Sequence, residues 1–565
     1  MKILILGGYG VFGGRLAQLL SDVAGLTILI GGRDQDKANR FCETVGGAAR
    51  CVPITVDRRA VADCLDSERP DLVVDASGPF QQYGQNRYAV IEACIAAQID
   101  YLDFADAADF VFGVSRFDAQ ARQAGIFVLS GVSSFPVLTA AVLREMAKTM
   151  SIERIEGGIA PSPFAGVGLN VIRAVVGYAG GPVHLRRGGV AASGTAIAET
   201  ARYTIAVPGR LPLRNLLFSL VDVPDLQVIP PEYPELTDIW MGAGPVPEPL
   251  HRMLILLARA RTFLKLPSLA PLSRLCYLVL NRMKYGEHRG GMYVRLRGRI
   301  NGLETQRSWH LLAEGDDGPF IPSMAIEALV RKMLAGAPPE PGARPATHSL
   351  ELADYDRLFA GRTIYTWFRD DGPGQPLYRQ ILGSAFGALP APVQALHTGT
   401  QARTWRGTAQ VSRGRGPLAA QAANQFGFPR TGQNVPVSVT FEPGADGETW
   451  RRDFDGEVLV THQAPGTGRS SGLIVERFGA VAVALALVVD GDRLRLIPRR
   501  WSLLGLPMPR FLLPRGESFE TVCDGRFAFD VTVDLPLIGR VVGYHGTLEP
   551  TDSAQRLDPW PASNP

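Results

Sequence analysis

The chain has 565 residues, a net charge of +3 and 20% charged residues. This length exceeds one ordinary hydrophobic core and predicts roughly two to four domains. The slight charge gives no reason to expect nucleic-acid binding, and no uncharged apolar run reaches transmembrane length. The six cysteines form no CxxC pair, which favours reduced thiols in a cytoplasmic protein.

Residues 1–135 alternate short apolar runs with helical patterns. The pattern predicts helices over 14–23, 36–46 and 85–98. Because strands and helices alternate, we expect βαβ units and a doubly wound, Rossmann-type parallel sheet in an α/β domain. The predicted strands are 2–7, 26–32, 48–57, 70–77, 100–105 and 125–131.

A glycine-rich segment, GGYGVFGG, joins the first strand to the first helix. Gly8, Gly10 and Gly13 fit the spacing GxGxxG. Gly7, Gly10 and Gly13 also fit the wider spacing GxxGxxG. Such glycines make the turn, admit a pyrophosphate and let the helix pack closely. The alternative is a glycine turn without a ligand. The predicted cofactor-binding residues here are Gly7, Gly8, Tyr9, Gly10, Val11, Phe12 and Gly13.

The end of the second strand, IGGRD, distinguishes the two nicotinamide dinucleotides. NAD sites place Asp or Glu there, whereas this chain has Arg33, and Lys37, one helical turn later, is predicted to add positive charge to the same cofactor site. A guanidinium suits a 2′-phosphate, so we predict NADP rather than NAD. The alternatives are a solvated Arg33 and a helix cap at Asp34 or Asp36.

Later strand ends add three cofactor contacts. Asp57 could bond the adenine amino group or cap a helix. Ser77, Gly78 and Pro79 would pass the nicotinamide ribose, with a plain turn as the alternative. Tyr83 and Gln85 could reach the nicotinamide or the substrate.

Residues 136–369 have mixed patterns, with strands over 151–161 and 290–315 and a helix over 321–336. They predict an α+β substrate domain with a largely antiparallel sheet and a helix that returns to the Rossmann domain. The segment DDGPGQP, 370–376, is the predicted linker. Residues 377–551 read as hairpins of a β-rich domain, and 552–565 as a frayed tail.

Two apolar stretches allow two interpretations each. Residues 251–299 carry eleven Lys and Arg against one acid, Glu287. Residues 251–284 either contact an anionic membrane peripherally or form a buried helical hairpin with arginines at its rim. The segment WSLLGLPMPRFLLP, 501–514, either lines a hydrophobic pocket or belongs to the core.

Catalytic residues cannot be assigned from the pattern. The eight histidines form neither HxxxH nor HExxH, so no metal site is expected. His310 could act as acid or base, or be a hydrogen-bonded core residue.

The motifs GGYGVFGG, IGGRD, DASGPFQQYG and DYLDFAD resemble the saccharopine dehydrogenase and saccharopine reductase family, and the similarity extends over about residues 1–345. The resemblance implies an NAD(P)-dependent oxidoreductase with a Rossmann domain and a second α/β domain carrying an antiparallel sheet. It places residues 7–13, Arg33, Asp57 and 77–79 at cofactor positions. The amino-acid-binding arginines of saccharopine enzymes have no assigned counterparts here. The C-terminal part resembles a bacterial domain of unknown function.

We therefore predict an NADP-dependent oxidoreductase that transfers hydride to or from an unidentified, hydrophobic small molecule. One alternative is a non-catalytic NADP-binding protein whose C-terminal module binds a lipid or a protein partner. Another is a scaffold with an empty nucleotide fold. We expect a cytoplasmic protein, membrane-peripheral if 251–284 contacts lipid, and homodimer formation stays open.

Overall fold

The computed structural model describes residues 1–551 except 167, 214, 245–246, 283–284, 371–375, 400 and 445. The chain forms two units. The first contains Met1–Tyr203 and Leu216–Asp371, and the second contains Thr204–Asn215 and Gly372–Pro565. The predicted linker, 370–376, lies mostly outside the described residues, and the predicted tail, 552–565, lies wholly outside them.

Six short strands alternate with helices at the start of the first unit, at the predicted places. Ile3, Leu4, Ile5 and Leu6 are all buried, so the first strand is covered on both faces, as parallel sheets require. The strands are β1 (Lys2–Leu6), β2 (Thr27–Gly32), β3 (Arg50–Thr55), β4 (Leu72–Asp75), β5 (Asp100–Asp103) and β6 (Phe127–Ser130). The helices are α1 (Val11–Leu19), α2 (Gln35–Thr44), α3 (Val61–Glu68), α4 (Ala89–Ala97), α5 (Ala108–Gly113) and α6 (Asp118–Ala124).

The rest of the first unit mixes longer strands with helices. Its strands are β7 (Ser151–Ala160), β8 (Pro182–Arg187), β9 (Val190–Thr195), β10 (Thr200–Tyr203), β11 (Leu216–Leu220), β12 (Asp238–Ala243), β13 (Arg289–Ile300), β14 (Leu303–Glu314), β15 (Gly342–Pro345) and β16 (Ile364–Asp370). Its helices are α7 (Thr139–Ala147), α8 (Leu169–Tyr178), α9 (Asp225–Val228), α10 (Glu248–Leu264), α11 (Ser273–Arg282), α12 (Ile321–Leu334) and α13 (Leu352–Phe359).

The first sheet has the strand order β15-β6-β5-β4-β1-β2-β3, and all its pairs are parallel. This order confirms the predicted Rossmann-type sheet. The order reverses at β1, where Leu6 pairs with both Gly31 and Asp75. Ligands of such sheets bind at the carboxyl ends of the strands beside this reversal. The seventh strand, β15, comes from a proline-rich stretch, and Pro345 is tolerated because β15 is an edge strand.

The second sheet has the order β10-β11-β12-β7-β13-β14-β16. Only β12 and β7 pair in parallel, which confirms a largely antiparallel sheet. β13 and β14 form a hairpin at Asn301-Gly302, and both residues have positive φ, as a two-residue turn of this kind needs. β8 and β9 pair separately.

Helix α12 lies against α1 of the Rossmann sheet. The Ser323 hydroxyl donates to the Phe12 carbonyl at 3.2 Å, and Arg331 forms an ion pair with Asp22 at 2.9 Å. Helix α12, which follows strand β14 of the second sheet, is therefore held against helix α1 of the Rossmann sheet.

The second unit is an antiparallel barrel. Its ten closing strands follow the order β22-β21-β20-β19-β18-β17-β27-β26-β25-β23, and β22 pairs with β23 to complete the ring. This confirms a β-rich C-terminal part. The strands are β17 (Arg403–Arg413), β18 (Gly432–Pro443), β19 (Glu448–Phe454), β20 (Glu457–Pro465), β21 (Ile474–Phe478), β22 (Val481–Asp490), β23 (Arg493–Leu503), β24 (Leu506–Pro507), β25 (Ser518–Cys523), β26 (Arg526–Leu535) and β27 (Gly539–Pro550).

Three helices and one earlier segment complete the second unit. The helices are α14 (Leu377–Leu382), α15 (Ala391–His397) and α16 (Pro417–Gln425). Residues 204–215 join the barrel: the Val489 amide donates to the Gly209 carbonyl at 2.9 Å, and the Asn215 side chain donates to the Gly468 carbonyl at 3.0 Å.

Candidate nucleotide-binding site

The glycine turn after β1 is a tight backbone loop with no space for side chains on its inner side. Gly7 has φ +77°, and its amide donates to the Gly31 carbonyl at 2.8 Å. A Cβ at Gly7 would lie 2.7 Å from the Ala76 carbonyl oxygen, and a Cβ at Gly13 would lie 2.5 Å from that of Gly7. Glycine is therefore required by the packing of β1, β4 and α1 at these positions.

The outer side of the same turn is open. Gly10 is exposed, and a Cβ there would meet nothing within 4 Å except backbone atoms of Gly7. α1 begins at Val11, three residues earlier than predicted, and no side chain caps its first turn. The first amides of a helix lack intrahelical acceptors and carry its positive dipole end. The turn fits a pyrophosphate.

Two aromatic side chains of the turn pack into the fold. The Tyr9 ring lies over Gly32, where a Cβ would be 2.2 Å from the ring, and its hydroxyl accepts the Asp34 amide at 3.2 Å. Phe12 stacks on Phe104, with ring centroids 5.7 Å apart. The sequence predicts Tyr9 and Phe12 as cofactor contacts. In the structure their side chains pack into the fold, so only their backbone atoms face the turn.

Arg33 is exposed at the end of β2 and makes no ion pair within the described part of the chain. The neighbouring carboxylate is engaged: Asp34 caps α2 by accepting the Lys37 amide at 3.1 Å and pairs with the Lys37 ammonium at 2.9 Å. Hydrogen bonds from Lys37 lower the pKa of Asp34. Lys37 therefore neutralises Asp34, and Arg33 remains available to an anion.

Asp57 acts as a cap. It is exposed and accepts the Arg59 amide at 2.9 Å, at the start of the short helix Arg58–Ala60. The sequence allowed either a helix cap or a contact with the adenine amino group for Asp57, and the structure contains the cap.

A buried polar cluster lies at the end of β4. Ser77 donates to Asp75, and its oxygen lies 2.8 Å from the Tyr83 hydroxyl. Arg58 stacks on the Tyr83 ring, with the guanidinium carbon 3.5 Å from the ring centroid, and its Nε lies 3.9 Å from Asp75. Burial raises the pKa of both Asp75 and Tyr83, so the Tyr83 hydroxyl stays protonated. Sequence reasoning did not identify Arg58 or Asp75 as members of this cluster. The local signal for Arg58 was the sequence VDRR, residues 56–59, which follows β3.

The segment after this cluster faces the second half of the unit. Gly78-Pro79 is a cis peptide, and Asn170 at the start of α8 donates to the Gly78 carbonyl at 2.9 Å. Gln85 is exposed and has no hydrogen-bond partner within the described residues. Residues 77–79 thus lie between the Rossmann strand ends and α8.

Three carboxylates gather beyond β5, where sequence reasoning assigned no function. Asp106 accepts from Gln81 at 3.0 Å and is exposed to solvent, yet desolvation by the surrounding protein raises its pKa, as in a cleft. Partial burial and then the charges of Asp109 and Asp106 raise the pKa of Asp222 to about 6. Burial, and then the charges of Asp106 and Asp222, raise the pKa of Tyr178. Asp106 and Asp222 are therefore protonated more readily than ordinary carboxylates.

Asp103, the last residue of β5, supports the floor of this region. It is fully buried and accepts from the amides of Ala105 and Gly131 at 2.9 and 2.7 Å and from Ser130 at 3.0 Å. Burial raises its pKa to about 7 despite these bonds.

His310 is a core residue. It is buried on β14, where its Nε2 lies 2.9 Å from Ser308 and 3.2 Å from the Tyr203 hydroxyl. Burial lowers its pKa to about 3, so the ring is neutral. Of the two roles that the sequence allowed for His310, this arrangement corresponds to the hydrogen-bonded core residue.

The stretch 251–284, described as far as residue 282, contains most of α10 and all of α11, and much of the apolar surface of these two helices is exposed. Phe263 is 86% exposed and Leu256 is 64% exposed, and Leu275 and Leu278 are also exposed. Only His251, Ile255 and Ala258 of α10 are buried. Among the described residues, no helix is long and apolar enough to cross a membrane.

Two parts of the chain match known family models. Residues 3–129 match the saccharopine dehydrogenase NADP-binding domain, and residues 389–548 match DUF4166, a domain of unknown function. No curated protein matches the chain.

Several solved dehydrogenases are distantly similar. The apo saccharopine dehydrogenase (L-Glu forming) of Saccharomyces cerevisiae is 14% identical, with 66% of this chain and 100% of that chain covered and a TM-score of 0.47. An amine dehydrogenase of Mycobacterium smegmatis is 11% identical, with 60% and 94% covered and a TM-score of 0.30. An engineered D-amino acid dehydrogenase bound to NADP+ is 13% identical, with 62% and 93% covered and a TM-score of 0.30.

The family match over β1 to β6 agrees with the strand order, the glycine turn and the cofactor predicted from Arg33. The N-terminal part of the chain is a saccharopine dehydrogenase-type NADP-binding domain, and the C-terminal part is a DUF4166 domain.

Proposed function

We propose that the protein is an NADP-dependent oxidoreductase that transfers hydride to or from a hydrophobic carbonyl, imine or activated double bond. Residues 1–135 would bind the nucleotide and residues 136–369 the substrate. The observation that carries the proposal is the open glycine turn beside β4, with the uncompensated Arg33 at the end of β2. A turn of this kind at the reversal of strand order is where dinucleotides bind.

Residues 7–13 would hold the pyrophosphate, Arg33 the 2′-phosphate and residues 77–79 the nicotinamide ribose. When bound, NADPH supplies the hydride. Tyr9 supports this arrangement, because its hydroxyl fixes the Asp34 amide and thereby the turn that presents Arg33.

Asp222 is the group best suited to hold the proton. Its pKa of about 6 leaves a useful protonated fraction near neutral pH, and a carboxylic acid can donate to a carbonyl oxygen or amine nitrogen that gains charge. Partial burial of Asp222 would keep this proton in place, and the nearby negative charges of Asp109 and Asp106 would further disfavour its ionisation.

The test is a titration of the full chain with NADPH and NADH, followed by incubation with carbonyl, imine and enoyl compounds. We expect tighter binding of NADPH and its oxidation by at least one compound. Asp222→Asn should leave NADPH affinity unchanged and lower turnover by about 100-fold, a typical contribution of a positioned acid. Tight NADPH binding without consumption across the panels would contradict the enzyme and favour a non-catalytic NADP-binding protein.

We also propose peripheral membrane contact through 251–284. The support is the exposed apolar surface of α10 and α11, combined with exposed basic residues such as Arg252. A hydrophobic substrate would be concentrated at such a surface.

Vesicle flotation tests this contact. Phe263→Ser should reduce binding to vesicles that contain anionic phosphatidylglycerol, whereas Leu303→Ser, in the β13–β14 hairpin, should not. Leu303 is a matched control because it is 73% exposed in the same unit. Equal binding by the three proteins, or no binding by any, would contradict membrane contact.

A further inference from the structure

The barrel of the second unit encloses an apolar cavity of about 190 Å³. We propose that it binds a single-chain amphiphile of the fatty acid class, with the chain inside the barrel and the carboxylate at Arg515. This site is distinct from the glycine turn, and it gives the DUF4166 part a binding function.

The cavity is larger than the voids of ordinary protein cores. Most interior voids are no larger than a water molecule, whereas 190 Å³ would admit roughly a dozen waters at about 15 Å³ each. Its lining includes Val439, Phe441, Leu485, Leu496 and Phe527. Such a lining offers water few hydrogen bonds, so an apolar occupant of about a dozen non-hydrogen atoms fits better than solvent. Closed barrels of eight or more strands can hold a ligand in this way.

The charged groups deep in the barrel already have partners within it. Arg452 pairs with Glu476 at 3.2 Å and donates to Thr461 at 2.8 Å, and Thr461 donates to Glu476 at 2.8 Å. Glu520, the other buried carboxylate of the lining, lies 2.6 Å from Nε2 of His397. Because these buried charged groups have partners and the rest of the inner lining is mainly apolar, the inner part of the cavity favours an uncharged chain.

Arg515 differs from these inner residues. It lines the cavity yet is exposed, so it lies where the cavity meets solvent. Its backbone is fixed by two hydrogen bonds of 2.7 Å with Asp534, one in each direction. The Asp534 carboxylate pairs with Arg540 at 2.6 Å, and Arg515 makes no ion pair with any described residue. An exposed guanidinium on an anchored backbone beside an apolar cavity suits a carboxylate head group.

An apolar loop lies next to this opening. The loop, residues 502–513, connects two cavity-lining residues, Trp501 and Pro514. Leu504 is 77% exposed, and Leu506 and Phe511 are each 69% exposed. The Trp501 indole donates to the Pro509 carbonyl at 3.1 Å and holds the loop against the barrel. Exposed apolar groups of this kind mark contact surfaces, and here they would guide the chain into the cavity.

Calorimetry of the full chain with decanoate, decanol and decyltrimethylammonium tests the proposal. We expect one decanoate per chain, bound at least tenfold more tightly than the other two. Arg515→Glu should weaken decanoate binding at least tenfold and leave decanol binding unchanged, because only the carboxylate is affected. No saturable binding of decanoate, or equal binding of decanoate and decyltrimethylammonium, would overturn it.

Filling the cavity provides the second test. Val439→Trp should weaken decanoate and decanol alike by at least tenfold, whereas Val460→Trp, a 48% exposed valine of β20, should change neither. If Val439→Trp fails to fold by circular dichroism, the surface variant Arg515→Glu decides the outcome. NADPH titration of each variant should match that of the unchanged chain, which separates this proposal from the first unit's function.

Discussion

The selectivity of the first unit for NADP over NAD depends on Arg33. Its guanidinium is exposed and has no carboxylate partner among the described residues, so a 2′-phosphate would meet a free cation. A hydrogen bond to a charged group contributes about 1.5–3 kcal/mol. In water the Coulomb attraction adds about 1 kcal/mol for each unit charge at 4 Å. We take about 2–3 kcal/mol as the loss in Arg33→Ala, which corresponds to a 30- to 150-fold weaker Kd for NADPH.

Fluorescence titrations of NADPH and NADH measure this loss directly. Arg33→Ala should leave NADH affinity unchanged, and Arg33→Asp should improve it, because a carboxylate can accept the ribose hydroxyls. Added salt should weaken NADPH binding to the unchanged chain more than to Arg33→Ala. Arg526→Asp, an exposed arginine of the barrel, controls for the change in net charge. An NADPH-to-NADH ratio that is the same in all four proteins would refute the role of Arg33.

Two further predictions concern the Rossmann sheet. Gly13→Ala should lower stability by about 1–3 kcal/mol and weaken both nucleotides, because the new Cβ would lie 2.5 Å from the Gly7 carbonyl oxygen. Gly46→Ala, where a Cβ meets nothing within 4 Å, is the matched control, and equal urea midpoints for the two variants would contradict the reasoning. Asp103 has its pKa raised from 3.8 to about 7, so the folded protein binds more protons than the unfolded chain between these values, and stability should fall as pH rises through that window. Asp103→Asn should remove this slope, worth at most about 3 kcal/mol between pH 5 and pH 8, in urea titrations at those two pH values; an unchanged slope would mean that Asp103 does not cause it.

The Rossmann sheet could be predicted because its signals are local. Each buried strand is a continuous apolar run, and the glycine turn joins one strand to one helix in eight residues. The right-handed crossovers of βαβ units then limit the topologies that such a sheet can adopt. Arg33 was identified because its position relative to the glycines is fixed by one such unit.

Contacts between distant residues could not be read in the same way. Arg58 and Asp75 are 17 positions apart in the sequence. Asp106 follows a strand of the first sheet, whereas Asp222 follows a strand of the second. Only the folded chain brings the two members of each pair together. Residues 204–215 join the barrel although the flanking strands belong to the other unit, and no local pattern announces this. The cavity depends on the pairing of β22 with β23, which closes the barrel. The hairpin patterns in the sequence predicted paired strands but did not show that the strands form a closed barrel.

The loop 502–513 illustrates how a correct local observation can leave function open. The sequence allowed either a pocket or a core for this apolar stretch. Leu504 and Phe511 are too exposed for core residues, while the flanking Trp501 and Pro514 line the cavity. Hydrophobicity alone cannot distinguish a residue that covers a cavity from one that fills it.

The two proposed sites share one electrostatic feature. Arg33 and Arg515 both make no ion pair with the described residues, although acidic residues lie beside both. In each case that acid is held by another cation: Lys37 pairs with Asp34, and Arg540 pairs with Asp534. If these acids were free, they would compete with an incoming anion and weaken its binding. Removing these cations, by Lys37→Ala or Arg540→Ala, should therefore weaken the binding of NADPH or decanoate respectively, because Asp34 or Asp534 would then compete with the ligand for the neighbouring arginine.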